Sequence, residues 1–187
     1  MNLKILTPYL FLLPAGVILL LFFIYPTLQI IYLSFTDYNM ISPPVWTYWK
    51  NYQYLFQDPL FWKSLVNTVI YTIGVVPPLV FLPLLIAILV NRSLKGIAFF
   101  RAATYLPVVV SMVVASIAWK WIYAEKGILN YLLELIHLSP QNWLSDPNIA
   151  LYAVMAVTVW KGLGYYMVIY LASLQAIPED LYEAAVL

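Results

Sequence analysis

Four long stretches that are almost free of charge constrain this chain more than any other feature. Ile5–Thr36 runs for 32 residues without an Asp, Glu, Lys or Arg, Ser64–Asn91 for 28 and Ala102–Trp119 for 18. The fourth, Pro147–Pro178, is interrupted only by Lys161. About 20 largely apolar residues are needed for a helix to cross the hydrocarbon of a bilayer, and in lipid the backbone must satisfy its own hydrogen bonds. The pattern therefore predicts an all-α, polytopic membrane helix bundle with four transmembrane helices. Composition agrees: 64% of the residues are hydrophobic and 9% charged, where an ordinary soluble domain carries about 25% charged residues.

The same counts exclude several kinds of function. A net charge of +1 gives no electrostatic footprint for nucleic acid. The absence of cysteine removes disulfides, thiolate metal sites and cysteine nucleophiles. The single histidine, His137, has no second ligand at metal spacing and reads as a loop residue. The chain has no G-x-x-x-x-G-K-[ST] loop, G-x-G-x-x-G, H-E-x-x-H or G-x-S-x-G, and no carboxylate pair within a span. No enzymatic activity, metal or cofactor is expected, and any ATP that drives the protein is expected to bind another chain.

The first apolar stretch follows Lys4 and is far longer than the h-region of a signal peptide, which runs about 7–15 residues. It is expected to stay as a transmembrane helix, residues 1–36 including a short N-terminal segment. Thr36–Lys63 is rich in Pro, Trp and Tyr, suited to an interfacial loop with short amphipathic pieces, and the aromatic Lys120–Asp146 resembles it in character. Asn91–Arg101 is short and carries Arg92, Lys95 and Arg101 with no acid, so the positive-inside rule assigns it to the cytoplasm. Alternation then puts the N-terminus inside, both aromatic loops outside and the closing Ile177–Leu187 inside. Basic residues split evenly between the sides, and only their greater density on the shorter inner segments favours this topology.

Pro14, Pro26, Pro77, Pro78, Pro83 and Pro107 lie within the expected spans. Each removes a backbone donor and bends a helix unless neighbours take up the freed carbonyl. Bent or broken helices suit a transport pathway, although proline is in general commoner in membrane helices than in soluble ones. Lys161 falls near the middle of the fourth stretch, beside Trp160, Gly162, Gly164, Tyr165 and Tyr166. A lysine at the bilayer centre costs about 2.5–3.5 kcal/mol on insertion scales, so it faces either a bundle interior or an aqueous cavity. Aromatic faces beside hydrogen-bonding groups suit a sugar-sized polyol. If the span instead begins at Gly162, Lys161 snorkels to an interface.

The closing segment has helix-start chemistry. Pro178 suits a first helical position, and Glu179 and Asp180 complement the dipole in the first turn. Leu181, Ala184 and Ala185 share one face, on which the alanine pair makes a small, flat surface. An ordinary helix start leading into another membrane segment has the same composition.

Trp160–Tyr166, W-K-G-L-G-Y-Y, followed by Leu174–Ala185, L-Q-A-I-P-E-D-L-Y-E-A-A, resembles the permease subunits of binding-protein-dependent ABC sugar importers of the maltose type. Pro8–Pro14, Tyr25–Tyr38, Asn51-Tyr52, Asn67-Thr68 and Leu106-Pro107 also look like this family, so the similarity covers essentially the whole chain. The resemblance implies a six-span permease core whose first part is residues 64–187. Its spans would lie near 64–91, 102–119 and 148–177, the start of a cytoplasmic coupling helix at 178–187, and an external aromatic loop before it at 37–63. It implies that Glu183, Ala184 and Ala185, with Tyr182 beside them, dock into the ATP-binding subunit. It further implies that Lys161, Gly162 and Tyr165, next to Trp160, contribute to the substrate pathway. The implied partners are a second permease subunit, an ATP-binding cassette ATPase dimer, an external solute-binding protein, a sugar and the lipid bilayer. The implied location is the cell (inner, cytoplasmic) membrane. In the family the motif continues with a glycine four residues past the second alanine, an Ile-x-Leu-Pro stretch and two further spans. This chain ends at Leu187, so the resemblance implies an N-terminal portion that does not transport alone. The alternatives to be weighed are an ABC permease for a non-sugar solute such as glycerol-phosphate or a polyamine, and, in a different class, a membrane assembly factor or other non-transport membrane protein.

Overall fold

In the computed structural model, residues 3–92 and 96–184 are described, with side chains from Thr7 onward except those at 179, 182 and 183. The expected coupling residue Ala185 lies outside the described residues. Chain contacts divide the protein into two units, Met1–Ser64 and Leu65–Leu187, each considered by itself.

In the first unit, α1 (Leu3–Leu19), a π-helical turn (Leu20–Ile24) and α2 (Tyr25–Ser34) follow one another without a break in the helical path. Pro8 and Pro14 are carried within α1. Pro26 explains the wider turn. Its ring would meet the carbonyl four residues back in an α-helix. Here the Tyr25 amide instead donates to the Leu20 carbonyl, and the Thr27 hydroxyl donates to the Phe23 carbonyl at 2.6 Å. Thr7–Ser34 is long and apolar enough to cross a membrane.

The loop that follows is more ordered than its composition predicts. Strands β1 (Thr36–Asp37) and β2 (Val45–Trp46) pair antiparallel, Thr36 opposite Trp46, and α3 covers Lys50–Gln57. Asn51 and Tyr52 fasten this hairpin to the helix end. The Asn51 amide donates to the carbonyls of Ser34 and Thr36, both at 2.9 Å, and the hydroxyls of Tyr52 and Ser34 are 2.8 Å apart. Phe35 packs against Trp46, Trp49 and Tyr52, with ring centroids 5.7, 5.1 and 5.4 Å away. Asn51-Tyr52 and the Tyr25–Tyr38 stretch are thus halves of one contact.

Helix α4 spans Pro59–Val90 with Pro77, Pro78 and Pro83 inside it. The second unit continues with α5 (Ile97–Val109), α6 (Met112–Ile122), α7 (Ile128–Leu135), α8 (Ala150–Gln175) and α9 (Glu179–Ala184). Its core gathers Ala87 and Val90 of α4 with Met167 and Leu171 of α8, flanked by Ile86, Ile97, Tyr170 and Leu174. Among the described residues three helices are long and apolar enough to span a membrane: Thr7–Ser34, Pro59–Val90 and Ala150–Gln175. A fourth span exists if the bent pair α5–α6 is taken as one.

The stretch 102–119, expected as one span with Pro107 bending it, falls on two helices bent by 102°. Pro107 withholds an amide from the last turn of α5, Val110 is extended (ψ 131°), and Ser111 caps α6 by accepting a hydrogen bond from the Val114 amide at 3.3 Å.

The segment between α6 and α8 turns on one side chain. Asn130, only 1% exposed, donates to the carbonyls of Glu125 (3.1 Å) and Gln141 (3.0 Å). Its own carbonyl accepts from the Gln141 amide and the Trp143 indole, both at 2.9 Å. His137 takes the left-handed conformation (φ 60°) just past α7, where its amide donates to the Glu134 carbonyl.

Candidate functional site

Helix α8 passes through Lys161 without interruption, so Lys161 lies in mid-helix rather than at the start of a shorter one. Two glycines on it do different work. Gly164 is buried where α8 meets α5. A Cβ there would run into the Thr104 carbonyl, stand 2.8 Å from the Tyr105 Cα and 3.0 Å from a Val108 methyl. The two backbones approach this closely only because the position carries no side chain. Gly162 faces a different neighbour: a Cβ would stand 2.7 Å from the end of the flexible Leu79 side chain.

On this second face lies an open cleft of about 320 Å³, lined by Thr158, Lys161, Gly162, Tyr165 and Tyr166 of α8 with Leu79 and Met112. Positions 158, 161, 162 and 165 recur at three- and four-residue steps and so share one side of the helix. Tyr165 is 53% exposed and meets Tyr166 edge to face at 5.3 Å. Thr158 is fixed by the Tyr71 hydroxyl at 2.8 Å and turns its own hydroxyl to the Val154 carbonyl. The cleft thus offers aromatic faces, hydroxyls and one cation.

That cation is not free. The Lys161 ammonium donates to the carbonyls of Pro107 at 3.0 Å and Val110 at 2.7 Å, both at the broken end of α5. Backbone carbonyls are among the partners that make a charge tolerable within a membrane, and a cation at a helix C-terminus is favoured by the dipole. Neither the cavity-facing nor the snorkelling reading of Lys161 anticipated this partner.

Of the four α8 residues singled out in the sequence, the structure brings Lys161, Gly162 and Tyr165 to one cleft. Trp160 is elsewhere. It crosses Trp119 edge to face at 5.4 Å and lines a separate groove with Gly74, Pro78 and Tyr152. Thr158 and Met112 escaped the sequence reading. The helical spacing from Lys161 and Tyr165 could have found Thr158, whereas Met112 reaches the cleft only because the chain bends at Ser111. Tyr182, Glu183 and Ala184 fall on α9, which begins at Glu179, one residue after Pro178.

A family model described as binding-protein-dependent transport system inner membrane component matches residues 59–187. The chain belongs to this family. Its helices make it a multi-pass membrane protein. The chain is similar to "Probable ABC transporter permease protein YurN" of Bacillus subtilis (strain 168), 40% identical over 184 residues, which cover 95% of this chain and 63% of that protein. It is also similar to "Lactose transport system permease protein LacF" of Rhizobium radiobacter, 35% identical over 181 residues, 95% of this chain and 60% of that protein. Among solved structures, a chain of a bacterial ABC transporter involved in the import of the acidic polysaccharide alginate matches with a TM-score of 0.75 and 25% identity. That match covers 96% of this chain and 61% of the alginate transporter chain. The chain therefore spans about three fifths of the length of these transport-system inner membrane components.

Proposed function

We propose that this chain forms part of the translocation pathway of an ABC importer for a sugar or oligosaccharide, as a permease subunit driven by ATP hydrolysis in a partner. The observation that carries the reading is the cleft on α8, where Lys161, Gly162, Tyr165, Tyr166 and Thr158 set aromatic faces beside hydrogen-bonding groups. The lactose and alginate systems of the similar proteins support a saccharide as the solute. In this reading Tyr165 stacks on a sugar face, Gly162 leaves room for the Leu79 side chain in the wall of the cleft, and Trp160 braces Trp119 behind the pathway.

The permease core begins near residue 64, after the external aromatic segment 37–63. The N-terminus and the basic Asn91–Arg101 segment are cytoplasmic, and α9 begins the coupling helix, with Tyr182, Glu183, Ala184 and Ala185 docking on the ATPase. The remaining partners are a second permease subunit, an ATPase dimer and an external solute-binding protein. No nucleotide-binding loop occurs in the sequence, consistent with ATP binding on another chain.

Uptake of labelled sugar into proteoliposomes, with the complete permease and its partner subunits, tests the pathway. Tyr165→Ala is expected to raise the half-saturating sugar concentration about tenfold, the loss of a stacking contact worth roughly 1.4 kcal/mol. Uptake unchanged by Tyr165→Ala would remove the cleft from the pathway, and uptake of a polyamine or glycerol-phosphate in place of sugar would replace the substrate class.

A further inference from the structure

The bend between α5 and α6 leaves a problem that the chain solves from a distance. An α-helix ends with four carbonyls that find no amide within it, and Pro107 is among the last four residues of α5. Val110 follows in extended conformation. On the other side of the bend Ser111 serves α6, its hydroxyl accepting from the Val114 amide and its carbonyl from the Ala115 amide at 3.0 Å. Within this local segment, the carbonyls of Pro107 and Val110 are met by no such cap. Lys161, 54 and 51 residues further along the chain, donates to both. Gly164, one turn away on α8, is the position that lets α5 come near enough for the side chain to reach.

From this geometry we propose that Lys161 is a positioning residue, a clip from α8 that holds the α5–α6 elbow at its bend, and that its chief role is not contact with the solute. One ammonium donates to carbonyls on both sides of Val108-Val109, so it fixes where α5 stops and the direction in which the chain leaves. The bend carries Met112 to the rim of the cleft. The shape of the cleft therefore depends on Lys161 even where its surface is supplied by Tyr165, Tyr166 and Thr158. The role holds whichever solute is carried, because both of its partners are backbone atoms of this chain.

The test uses the complete permease, assembled with its partner subunits, in lipid nanodiscs with no sugar present. Residues 1–187 contain no cysteine, so on this part of the chain spin labels attach at introduced cysteines alone. Phe99 on α5 and Trp121 on α6 are both largely exposed. With about 1.5 Å of rise per residue, the bend of 102° puts these positions about 20 Å apart, whereas one straight helix would separate them by about 33 Å. Double electron–electron resonance on the Phe99→Cys/Trp121→Cys pair is expected to give the short distance in the parent chain and in Lys161→Arg, which keeps the donors and the charge. In Lys161→Met the distribution is expected to broaden and shift toward the longer value. If Lys161→Met does not insert, Lys161→Gln, which retains an N–H donor at shorter reach, is read in its place, with an intermediate shift expected. An unchanged short distance in the substituted chain overturns the proposal. A solute-contacting lysine would leave this sugar-free distance alone and change only uptake, so failure here is distinct from failure of the transport reading.

Discussion

Two helix ends in the second unit are closed by cations, and they are closed in different ways. Arg101, on the second turn of α5, donates through Nε at 3.2 Å and through Nη2 at 2.6 Å to the carbonyl of Val90, the last residue of α4. Only 11 positions separate the two residues, so little chain has to close to bring them together. Lys161 closes the end of α5 from across the bundle, and its donors arrive only when α8 lies against α5. Closing the longer loop costs more chain entropy, although the cost grows slowly with length. The end of α4 is therefore settled locally, while the elbow after α5 is a property of the assembled helices.

This contrast can be broken at four places, taken in falling order of effect. Gly164→Leu puts a side chain against the Thr104 carbonyl and the Tyr105 backbone, which have little room to give. Overpacking of this kind costs about 3 kcal/mol. Unfolding of the reconstituted chain in mixed micelles should show that loss, and the elbow distance should lengthen as in Lys161→Met. Lys161→Met itself is expected to cost about 2 kcal/mol, the magnitude of hydrogen bonds to a charged group. Combined with Gly164→Leu it should add little, since the glycine substitution already takes the lysine out of reach. Arg101→Gln should cost about 1 kcal/mol in the same titration. Its effect should add to that of Lys161→Met, because the two caps serve separate helix ends; strong non-additivity would mean that the ends are coupled after all. Gly162→Ala is expected to stay within about 0.5 kcal/mol of the parent. The Leu79 side chain can turn aside, and alanine is the better helix former by about 1 kcal/mol. A large loss at Gly162 would show that this face of α8 is as tightly packed as the face at Gly164.

The spans were legible because uncharged length alone decides them in lipid, with no need for periodicity. The elbow was legible only as a bend at Pro107; its size and its break at Val110-Ser111, which has no glycine or proline of its own, were not. Prolines proved poor guides taken singly: Pro77, Pro78 and Pro83 ride inside α4, and Pro26 is absorbed by a wider turn. Lys161 stood out at once as a charge in an apolar helix. Its partners were hidden because they are backbone carbonyls that become available only where a neighbouring helix stops. Asn130 left no mark in the sequence, because an asparagine in an aromatic loop looks like a solvated residue until its surroundings close over it. Asn51 was visible as a landmark beside Tyr52, but its task required the hairpin that returns the chain to the end of α2.

The wide turn at Leu20–Ile24 has a consequence for the whole first helix. One residue added to a turn shifts the azimuth of everything beyond it by about 100° relative to an unbroken α-helix. The helical repeat read along Thr7–Leu19 is thus displaced by one residue over Tyr25–Ser34. A neighbour that follows one groove along the first half would meet a different set of residues in the second. Removing a single residue from Leu20–Ile24 would bring the halves back into phase, turning Ser34 and the attached hairpin about a third of a revolution around the helix axis.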